Sequence, residues 1–251
     1  MKKRIALLLD LPVAFCLLTR LPMPTLPQSA FDASARAVWA YGIVGVVLGA
    51  GAGLAGLMAL QLGLPAGMAG GMVIACLALS TGAMHEDGLS DTADGFWGAR
   101  SVERRLEIMK DSQIGTYGTL ALLVVTGLRW MGYAALLPLG IGAVLAGAAL
   151  SRAVMPVVMH ALPHARANGL SQSVGRPDLG AVLAGLAVTS LLVFVVLGPL
   201  AFIVLVAALL AVFPVVALAK AKIGGQTGDV IGATQQISEL SVLCVLIVVL
   251  T

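Results

Sequence analysis

The stretch HEDGLSDTADG, residues 85–95, brings four carboxylates together directly after an uncharged apolar segment: Glu86, Asp87, Asp91 and Asp94. In a helix, the three aspartates are spaced i, i+4 and i+7 and share one face. Carboxylates on one stripe repel one another unless a cation lies between them. Mg²⁺ is typically bound by a few carboxylates together with substrate phosphates. The pattern therefore predicts a divalent metal site at the end of an apolar helix.

The helix that carries these acids is predicted to continue straight from the preceding apolar span, past the membrane surface. Gly88 and Gly95 weaken a helix, so the end of the stretch is predicted to open into a loop. The competing interpretation is an ordinary solvated helix end, although such an end more often mixes lysines among its acids.

A basic segment follows the acids and reads RSVERRLEIMKDSQIG, residues 100–115. Its apolar residues recur on one side, which predicts a short amphipathic helix. The guanidinium fork matches phosphate oxygens, so beside a metal site these cations are candidates for binding a pyrophosphate. Taken alone, the segment equally fits an interfacial helix that touches anionic lipid. The candidate residues are Arg100, Arg104, Arg105 and Lys110.

Two later polar loops carry further candidates. In residues 163–176, His164 and Arg166 are predicted to contact substrate, although a lone loop histidine is more often structural. Residues 222–239 begin with a glycine-rich turn, which is either a plain linker or a turn whose amides face an anion. Asp229 in this loop would complete the metal site. The candidate substrate-binding residues of the turn are Gly224, Gly225 and Thr227.

The composition places these loops on a membrane protein. Hydrophobic residues make up 59% of the 251 residues, charged residues 11%, and the mean hydropathy is +1.02, whereas soluble domains are about a quarter charged. We therefore predict an all-α, polytopic integral membrane bundle of six or seven spans, formed by a single domain over residues 1–251. The net charge of +3 is too small and too dispersed to predict nucleic-acid binding. The cysteines lie in apolar runs and predict neither a disulfide nor a metal set.

Spans need about 20 apolar residues, and they are predicted at 37–63, 66–84, 115–137, 139–162, 180–197, 199–219 and 237–251. The turns on one side of these spans are tight and uncharged. The long polar loops on the other side carry all but two of the fifteen Lys and Arg residues. By the positive-inside rule that side is cytoplasmic. The N-terminal helix is predicted to be uncleaved, and either to lie in the interface or to fold back into the bundle.

Three residues of the types Asp, Glu, Lys and Arg fall within the predicted spans. Arg129 neighbours Trp130 and Tyr133 near the predicted outer end of its span, so we expect its side chain to snorkel to the surface. Arg152 lies deeper, so we expect it to face the bundle interior and to find a carboxylate partner. Glu239 lies just inside the last span, where an ionisable group is costly and usually functional.

Several segments together resemble the cobalamin synthase family, whose members are also called adenosylcobinamide-GDP ribazoletransferases. The most specific part is the acidic block EDGLSDTADGFWG, followed at a fixed distance by RRLEIMKDSQIGTYG. Shorter pieces appear in the family's order along almost the whole chain: LTRLPMP at 18–24, Ser151-Arg152, HARANGL at 164–170 and GGQTGDVIGA at 224–233. The resemblance implies a multi-pass enzyme of the bacterial inner membrane that uses Mg²⁺ and acts at the cytoplasmic face.

The resemblance also implies a reaction. Members of the family join adenosylcobinamide-GDP to α-ribazole or its 5′-phosphate and release GMP, through attack of a ribose hydroxyl on the phosphorus attached to cobinamide. The lipid bilayer is a further partner, and a homo-oligomer is left open. The roles implied are Mg²⁺ binding by Asp87, Asp91 and Asp94 with Asp229, pyrophosphate binding by Arg104, Arg105 and Lys110, other substrate contacts by Arg100, Arg152, His164 and Arg166, and a base among His85, Glu86 and Asp111.

Two other functions also place acids on a helical membrane protein. A CDP-alcohol phosphotransferase needs Asp-Gly, two residues and then Ala-Arg, but here Asp94-Gly95 is followed by Ala99-Arg100, one residue too late. A cation-coupled transporter usually binds its ion near the membrane midplane, often on broken helices. The acids of this chain cluster instead at one end of the spans.

Overall fold

A computed structural model describes the backbone from Lys2 to Thr251 and the side chains from Leu9 onwards. The described chain is helical, with short connections and three 3-10 turns at Gln28–Ala33, Ala37–Ala40 and Leu137–Leu139. The α-helices are α1 (Lys2–Leu18), α2 (Tyr41–Gln61), α3 (Ala66–Thr81), α4 (Met84–Gly98), α5 (Val102–Ile108), α6 (Thr116–Leu136), α7 (Gly142–Ala153), α8 (Met155–Ala161), α9 (Leu170–Val174), α10 (Leu179–Leu197), α11 (Leu200–Ile223) and α12 (Gly228–Leu250).

Within the described chain, six segments are long and apolar enough to cross a membrane: Ala37–Gln61, Thr116–Leu139, Gly142–Ala161, Leu179–Leu197, Leu200–Ile223 and Gly228–Leu250. They confirm the predicted polytopic, all-α fold. The last segment begins well before the predicted boundary at 237. Its polar residues Gln235 and Gln236 are buried among other helices rather than facing lipid, and a search for apolar runs therefore stops short of them.

The predicted straight continuation of the second span into the acids is wrong. α3 ends at Thr81, and α4 leaves at an angle of 89°. Gly82 and Ala83 both have left-handed backbone, with φ of +67° and +55°, which ends a helix. Arg20 closes the corner, because its backbone N–H donates to the Ser80 carbonyl at 2.7 Å. α4 therefore lies across the end of α3, outside the six unbroken spans, and holds the acids against the bundle. The predicted span at 66–84 qualifies only together with α4, as a bent pair that would bring the number of spans to seven.

α4 stays helical as far as Gly98, so the predicted opening into a loop is wrong as well. Its glycines are explained by close packing. A Cβ at Gly95 would lie 2.3 Å from Met109 Cγ, and one at Gly88 would lie 2.8 Å from the Asp229 carbonyl oxygen. Small residues allow helices to approach this closely, and the gain in packing offsets the low helix propensity of glycine.

α7 lies at the centre of the bundle, and its Ala143–Ala153 part is buried with the exception of Leu145. α2 approaches it through glycines: a Cβ at Gly45 would lie 2.2 Å from the Ala148 carbonyl oxygen, and one at Gly49 would lie 3.0 Å from that of Val144. This packing fixes the position of Arg152, near the end of α7, inside the protein.

α1 folds back onto the bundle. Its Asp10 is buried, and it accepts hydrogen bonds from Arg36 Nη2 at 2.7 Å and from Trp39 Nε1 at 3.0 Å. The charge that interrupts the first apolar run is thus neutralised by the segment before α2. Val13 and Ala14 on the same helix contribute to the core.

Candidate functional site

The acidic cluster is assembled where α4 crosses α12. Gly88 and Gly232 face each other at this crossing, and a Cβ added to either glycine would lie against the Cα atom of the other. The crossing brings Asp87 and Asp91 of α4 beside Asp229, in the first turn of α12. The two parts of the chain that carry these acids are separated by more than 130 residues, so the cluster depends on the folded bundle.

The charges of the cluster act strongly on Asp91. Burial, together with repulsion from Asp87, Asp229 and Asp94, raises the pKa of Asp91 to about 7 from an ordinary value of 3.8, and Arg166 partly opposes this shift. A carboxylate cluster that is destabilised by its own charge is a favourable environment for a cation. The donor chemistry therefore fits Mg²⁺, which prefers carboxylate oxygens.

Within the described residues, no group of three His, Cys, Asp or Glu side chains is already arranged so that it could hold a metal ion. Mg²⁺ usually keeps water and takes substrate phosphate oxygens among its ligands. An ion at this position would therefore be held by one or two of these carboxylates and by the substrate, with small rotations of the side chains.

Asp94, predicted as a third metal ligand, has another contact in the structure. Its two carboxylate oxygens accept hydrogen bonds from the backbone N–H groups of Gly115 at 2.7 Å and Gly118 at 2.9 Å. A Cβ at Gly118 would lie 2.3 Å from Asp94 Oδ2, so both glycines of this Gly-x-x-Gly segment are needed for the approach. Asp94 thus holds the beginning of α6 against α4, and its role in metal binding stays a prediction.

Asp229 is bound by two side chains of the neighbouring loops. Arg166 Nη2 donates to its Oδ2 at 3.1 Å, and Thr227 Oγ1 donates to the same oxygen at 3.1 Å. Thr227 also caps α12, accepting from the Val230 N–H. Arg166 Nη1 is buried without a hydrogen-bond partner. The structure thus places Arg166 and Thr227 at the acidic cluster, and their contact with substrate stays a prediction.

The other loop candidates hold the two polar loops together. Gln226 forms backbone hydrogen bonds with the loop before it, donating to the Pro163 carbonyl at 2.8 Å and accepting from Ala165 N–H at 2.9 Å. His164 Nδ1 lies 2.9 Å from Gln226 Nε2. A Cβ at Gly225 would lie 2.4 Å from the Pro163 carbonyl oxygen. These contacts explain His164 and Gly225 structurally, and their contact with substrate stays a prediction.

Gly224 ends α11 with a left-handed backbone, φ +72°, which glycine adopts at the least cost. Its geometry is that of a helix C-terminus, where carbonyl groups rather than amides are left free. The predicted anion contact of Gly224 is therefore not favoured by the local backbone.

The cations in and beside the basic helix α5 are of two kinds, those that bind backbone carbonyls and those that are exposed. Arg105 donates to the carbonyls of Ala99 at 3.1 Å and Lys222 at 2.7 Å, and so ties α5 to the end of α11. Arg104 forms an exposed ion pair with Glu107. Arg100 and Lys110 are exposed.

A buried polar network lies behind the acids, and the prediction that Arg129 snorkels to the surface is wrong. Arg129 is 1% exposed and pairs with Glu239 at 2.6 Å and with Glu86 at 3.2 Å. Gln236 accepts from Arg129 and donates to Glu86 Oε1 at 2.9 Å. Tyr133 donates to Glu239. The network joins α6 and α12 to Glu86, one residue before Asp87.

Arg152 is buried and faces the interior, as predicted, but it does not form the predicted ion pair. Its Nη1 donates to the Ala148 carbonyl at 2.9 Å, and its Nε has no hydrogen-bond partner. The carboxylate of Glu239 instead accepts hydrogen bonds from Arg129 and Gln235. Gln235 also donates to Ser151 at 2.9 Å. The amides and Ser151 were missed in the sequence, although polar residues inside an apolar span are the signal for such a network.

Two cavities lie beside α4. The larger, of about 520 Å³, is lined by polar residues that include Glu86, Asp91, Lys110 and Asp111. The smaller, of about 150 Å³, has mostly apolar walls, and its lining also includes the polar residues His85, Asp229 and Arg166. Asp87 lines both cavities. The acidic cluster therefore stands between two spaces of different chemistry, an arrangement suited to joining two substrates.

Comparisons with known proteins agree on one family. A family model described as cobalamin-5-phosphate synthase (CobS) matches residues 10–247. Curated relatives named adenosylcobinamide-GDP ribazoletransferase include one from Bradyrhizobium diazoefficiens, 42% identical over 94% of this chain and 92% of its own length. A relative of the same name from Sinorhizobium is 44% identical over 90% of this chain and 91% of its own length. No solved structure matches the chain.

Proposed function

Because the chain belongs to the cobalamin-5-phosphate synthase family, we propose that it transfers the adenosylcobinamide-phosphate part of adenosylcobinamide-GDP to α-ribazole or its 5′-phosphate. The acidic cluster between two cavities is the observation that links this proposal to particular residues. Asp87 lines both cavities, so each substrate can reach the same carboxylates from its own side.

The polar cavity suits the donor, because its wall combines Lys110 with the carboxylates of Asp87 and Asp91. Those carboxylates, with Asp229, would hold Mg²⁺. When bound, the ion would supply positive charge that stabilises the negative charge developing on the phosphate during transfer. Lys110 supplies a further positive charge to the diphosphate. Because Arg105 is engaged with two backbone carbonyls, Lys110 is the better candidate of the basic segment.

In the reaction, a ribose hydroxyl oxygen forms a bond to the phosphorus attached to cobinamide. The bond between that phosphorus and the oxygen bridging to GMP breaks, and GMP leaves with the electron pair. The hydroxyl proton passes to a base on the protein. Glu86 suits this task best of the three candidates, because Arg129 and Gln236 hold its Oε1 while its buried Oε2 has no partner.

The remaining candidates are less suited as bases. The Asp111 carboxylate accepts the Gln113 N–H at 3.0 Å in an exposed turn, and no other element holds it in place. Burial, together with the charges of Arg152 and Arg129, lowers the pKa of His85 well below its ordinary value, so its imidazole is a weak base. A base needs a fixed position within hydrogen-bond reach of its proton, which favours Glu86.

The proposed location is the bacterial inner membrane, with the site at the cytoplasmic side. The loops that form the site carry most of the Lys and Arg residues of the chain. Positive residues are retained on the cytoplasmic side during membrane insertion.

The test uses purified protein in nanodiscs, supplied with adenosylcobinamide-GDP and α-ribazole in Mg²⁺ or in EDTA. The expected result is equimolar GMP and cobalamin in Mg²⁺ and neither product in EDTA. Asp87→Asn is expected to abolish both products, whereas Asp32→Asn, which alters an exposed carboxylate outside the acidic cluster, is expected to leave them unchanged. Absence of product from the wild-type protein in Mg²⁺ would refute the proposed reaction, and wild-type turnover by Asp87→Asn would refute the metal site.

A further inference from the structure

The small cavity beside Asp87 is built mainly of apolar side chains. It measures about 150 Å³ and is partly enclosed between α1, α8, α9 and α12. Those helices contribute Leu17, Met155, Met159, Val174 and Ile231 to its walls. The phosphate transfer proposed above uses none of these apolar residues.

Two polar residues in the lining of this cavity carry unpaired groups. His85 is 1% exposed and its Nε2 has no hydrogen-bond partner, and Arg166 Nη1 is likewise buried and unpaired. Buried polar atoms are nearly always hydrogen-bonded in folded proteins. Two such atoms on residues that line a mainly apolar cavity indicate a ligand that is largely apolar but also able to form hydrogen bonds.

The size of the cavity restricts the ligand further. An apolar cavity of about 150 Å³ is known to bind benzene, so this one admits a single aromatic ring, and the rest of a ligand must leave through the open end. A corrinoid is far too large. Guanine carries donors and acceptors around its edge, which the apolar walls would leave unpaired. The dimethyl-substituted benzene ring of α-ribazole is apolar and of the right size.

We propose that this cavity binds the dimethylbenzimidazole base of the acceptor nucleoside and presents its ribose at Asp87 and Asp229. The proposal rests on the proposed function and adds a binding site for one of its two substrates. The apolar walls take the methylated ring, and the polar residues of the lining meet the ring nitrogen and the ribose. The donor occupies the polar cavity, so the acidic cluster lies between the reacting groups.

The test uses substitutions that reduce the volume of the cavity, and it measures the KM of each of the two substrates separately. Ile231→Phe adds a ring at a wall residue of α12, and Leu17→Phe does so from α1, where the side chain is only half-buried and a larger residue is more easily accommodated. The matched control is Ile237→Phe, on α12 but packed against Leu89 and Val125 away from the cavity. Each variant is accepted for kinetics if it elutes as the wild type does and forms GMP at saturating acceptor.

The expected result is a rise of about tenfold or more in the KM for α-ribazole in both cavity variants. The KM for adenosylcobinamide-GDP is expected to stay within about twofold, as are both constants in the control. A second readout uses the nucleoside of benzimidazole without its methyl groups. Wild type is expected to bind it about tenfold more weakly than α-ribazole, since two buried methyl groups are lost, and the cavity variants are expected to lose or reverse this preference.

Three outcomes would overturn the inference while leaving the reaction intact. The first is GMP release with an unchanged acceptor KM in both cavity variants. The second is an equal rise in the KM values of both substrates. The third is wild-type indifference to the methyl groups of the base. Absence of GMP from the wild-type protein would instead overturn the proposed function.

Discussion

The ion pair of Arg129 with Glu239 offers a direct test of how the bundle tolerates buried charge. Four charged groups share this region, and their formal charges cancel. They are the guanidiniums of Arg129 and Arg152 and the carboxylates of Glu86 and Glu239. Arg129→Met or Glu239→Gln alone leaves one unit of charge uncompensated. Removing one partner of a buried pair typically costs about 3–5 kcal/mol.

The double variant Arg129→Met/Glu239→Gln leaves Arg152 opposite Glu86 and restores neutrality. We therefore expect it to lose less stability than the sum of the two single variants, by about 2 kcal/mol, within the range of coupling energies measured for residues in one network. For a chain of this length, about 2–4 °C of melting temperature corresponds to 1 kcal/mol, so each single variant is expected to melt on the order of 10 °C below wild type.

The measurement is the fraction of monodisperse protein that survives heating in one fixed detergent, read by size-exclusion chromatography over a series of temperatures. The chain supplies a matched control in the Arg104–Glu107 pair, which has the same residue types but is exposed. Exposed pairs contribute about 0–1 kcal/mol, so Arg104→Met and Glu107→Gln should shift the midpoint by only a few degrees. Strict additivity of the buried pair, or an equal effect at the exposed pair, would refute the reasoning.

Four further predictions concern the acidic cluster. The pKa of Asp91 is raised to about 7, so the folded state binds a proton that the unfolded state releases above pH 3.8. Metal-free protein should therefore lose stability as the pH rises from about 4 to about 7. In thermal melts, Asp91→Asn should flatten that loss. Mg²⁺ added at pH 8 should raise the melting temperature of wild type, and a lack of effect would contradict the fit to a metal. Asp94→Ala should cost about 1–3 kcal/mol, because it leaves two backbone amides of α6 without their acceptor, whereas Asp229→Asn should lower turnover far more than it lowers the melting temperature. Gly88→Ala should reduce turnover at least tenfold, because its Cβ would lie 2.8 Å from the Asp229 carbonyl oxygen, and Gly127→Ala, which has open space around its Cβ, is the control that should retain activity.

The spans and the residues of the site were largely predictable from the sequence, because both depend on local pattern. Long apolar runs predict spanning helices, and Asp87, Asp91 and Asp229 stand out as acids beside such runs. The structure also brings Arg166 to Asp229. Their convergence could be expected only because the sequence predicts that the polar loops all lie on one side of the membrane.

The contacts that were wrong or missed depend on packing between distant segments. Arg129 lies beside Trp130 and Tyr133 in the last turns of α6, and nothing local indicates that Glu239, 110 residues later, packs against it. The corner at Gly82 and Ala83 needs an alanine in left-handed backbone, which residue type alone does not predict. Asp94 has the spacing of a metal ligand, and only the position of α6 reveals its bonds to two amides.

The network around Arg129 also has a consequence for the order in which the chain enters the membrane. Glu86 precedes Arg129 in synthesis, but Glu239 belongs to the last helix. Until α12 has been synthesised, Glu86 is the only one of these two carboxylates available to Arg129, and in the complete fold its contact is the longer one, at 3.2 Å rather than 2.6 Å. The arrival of the C-terminal helix therefore supplies in one step both the main counterion of Arg129 and the Asp229 carboxylate of the acidic cluster. Completion of the membrane bundle and completion of the site are the same event.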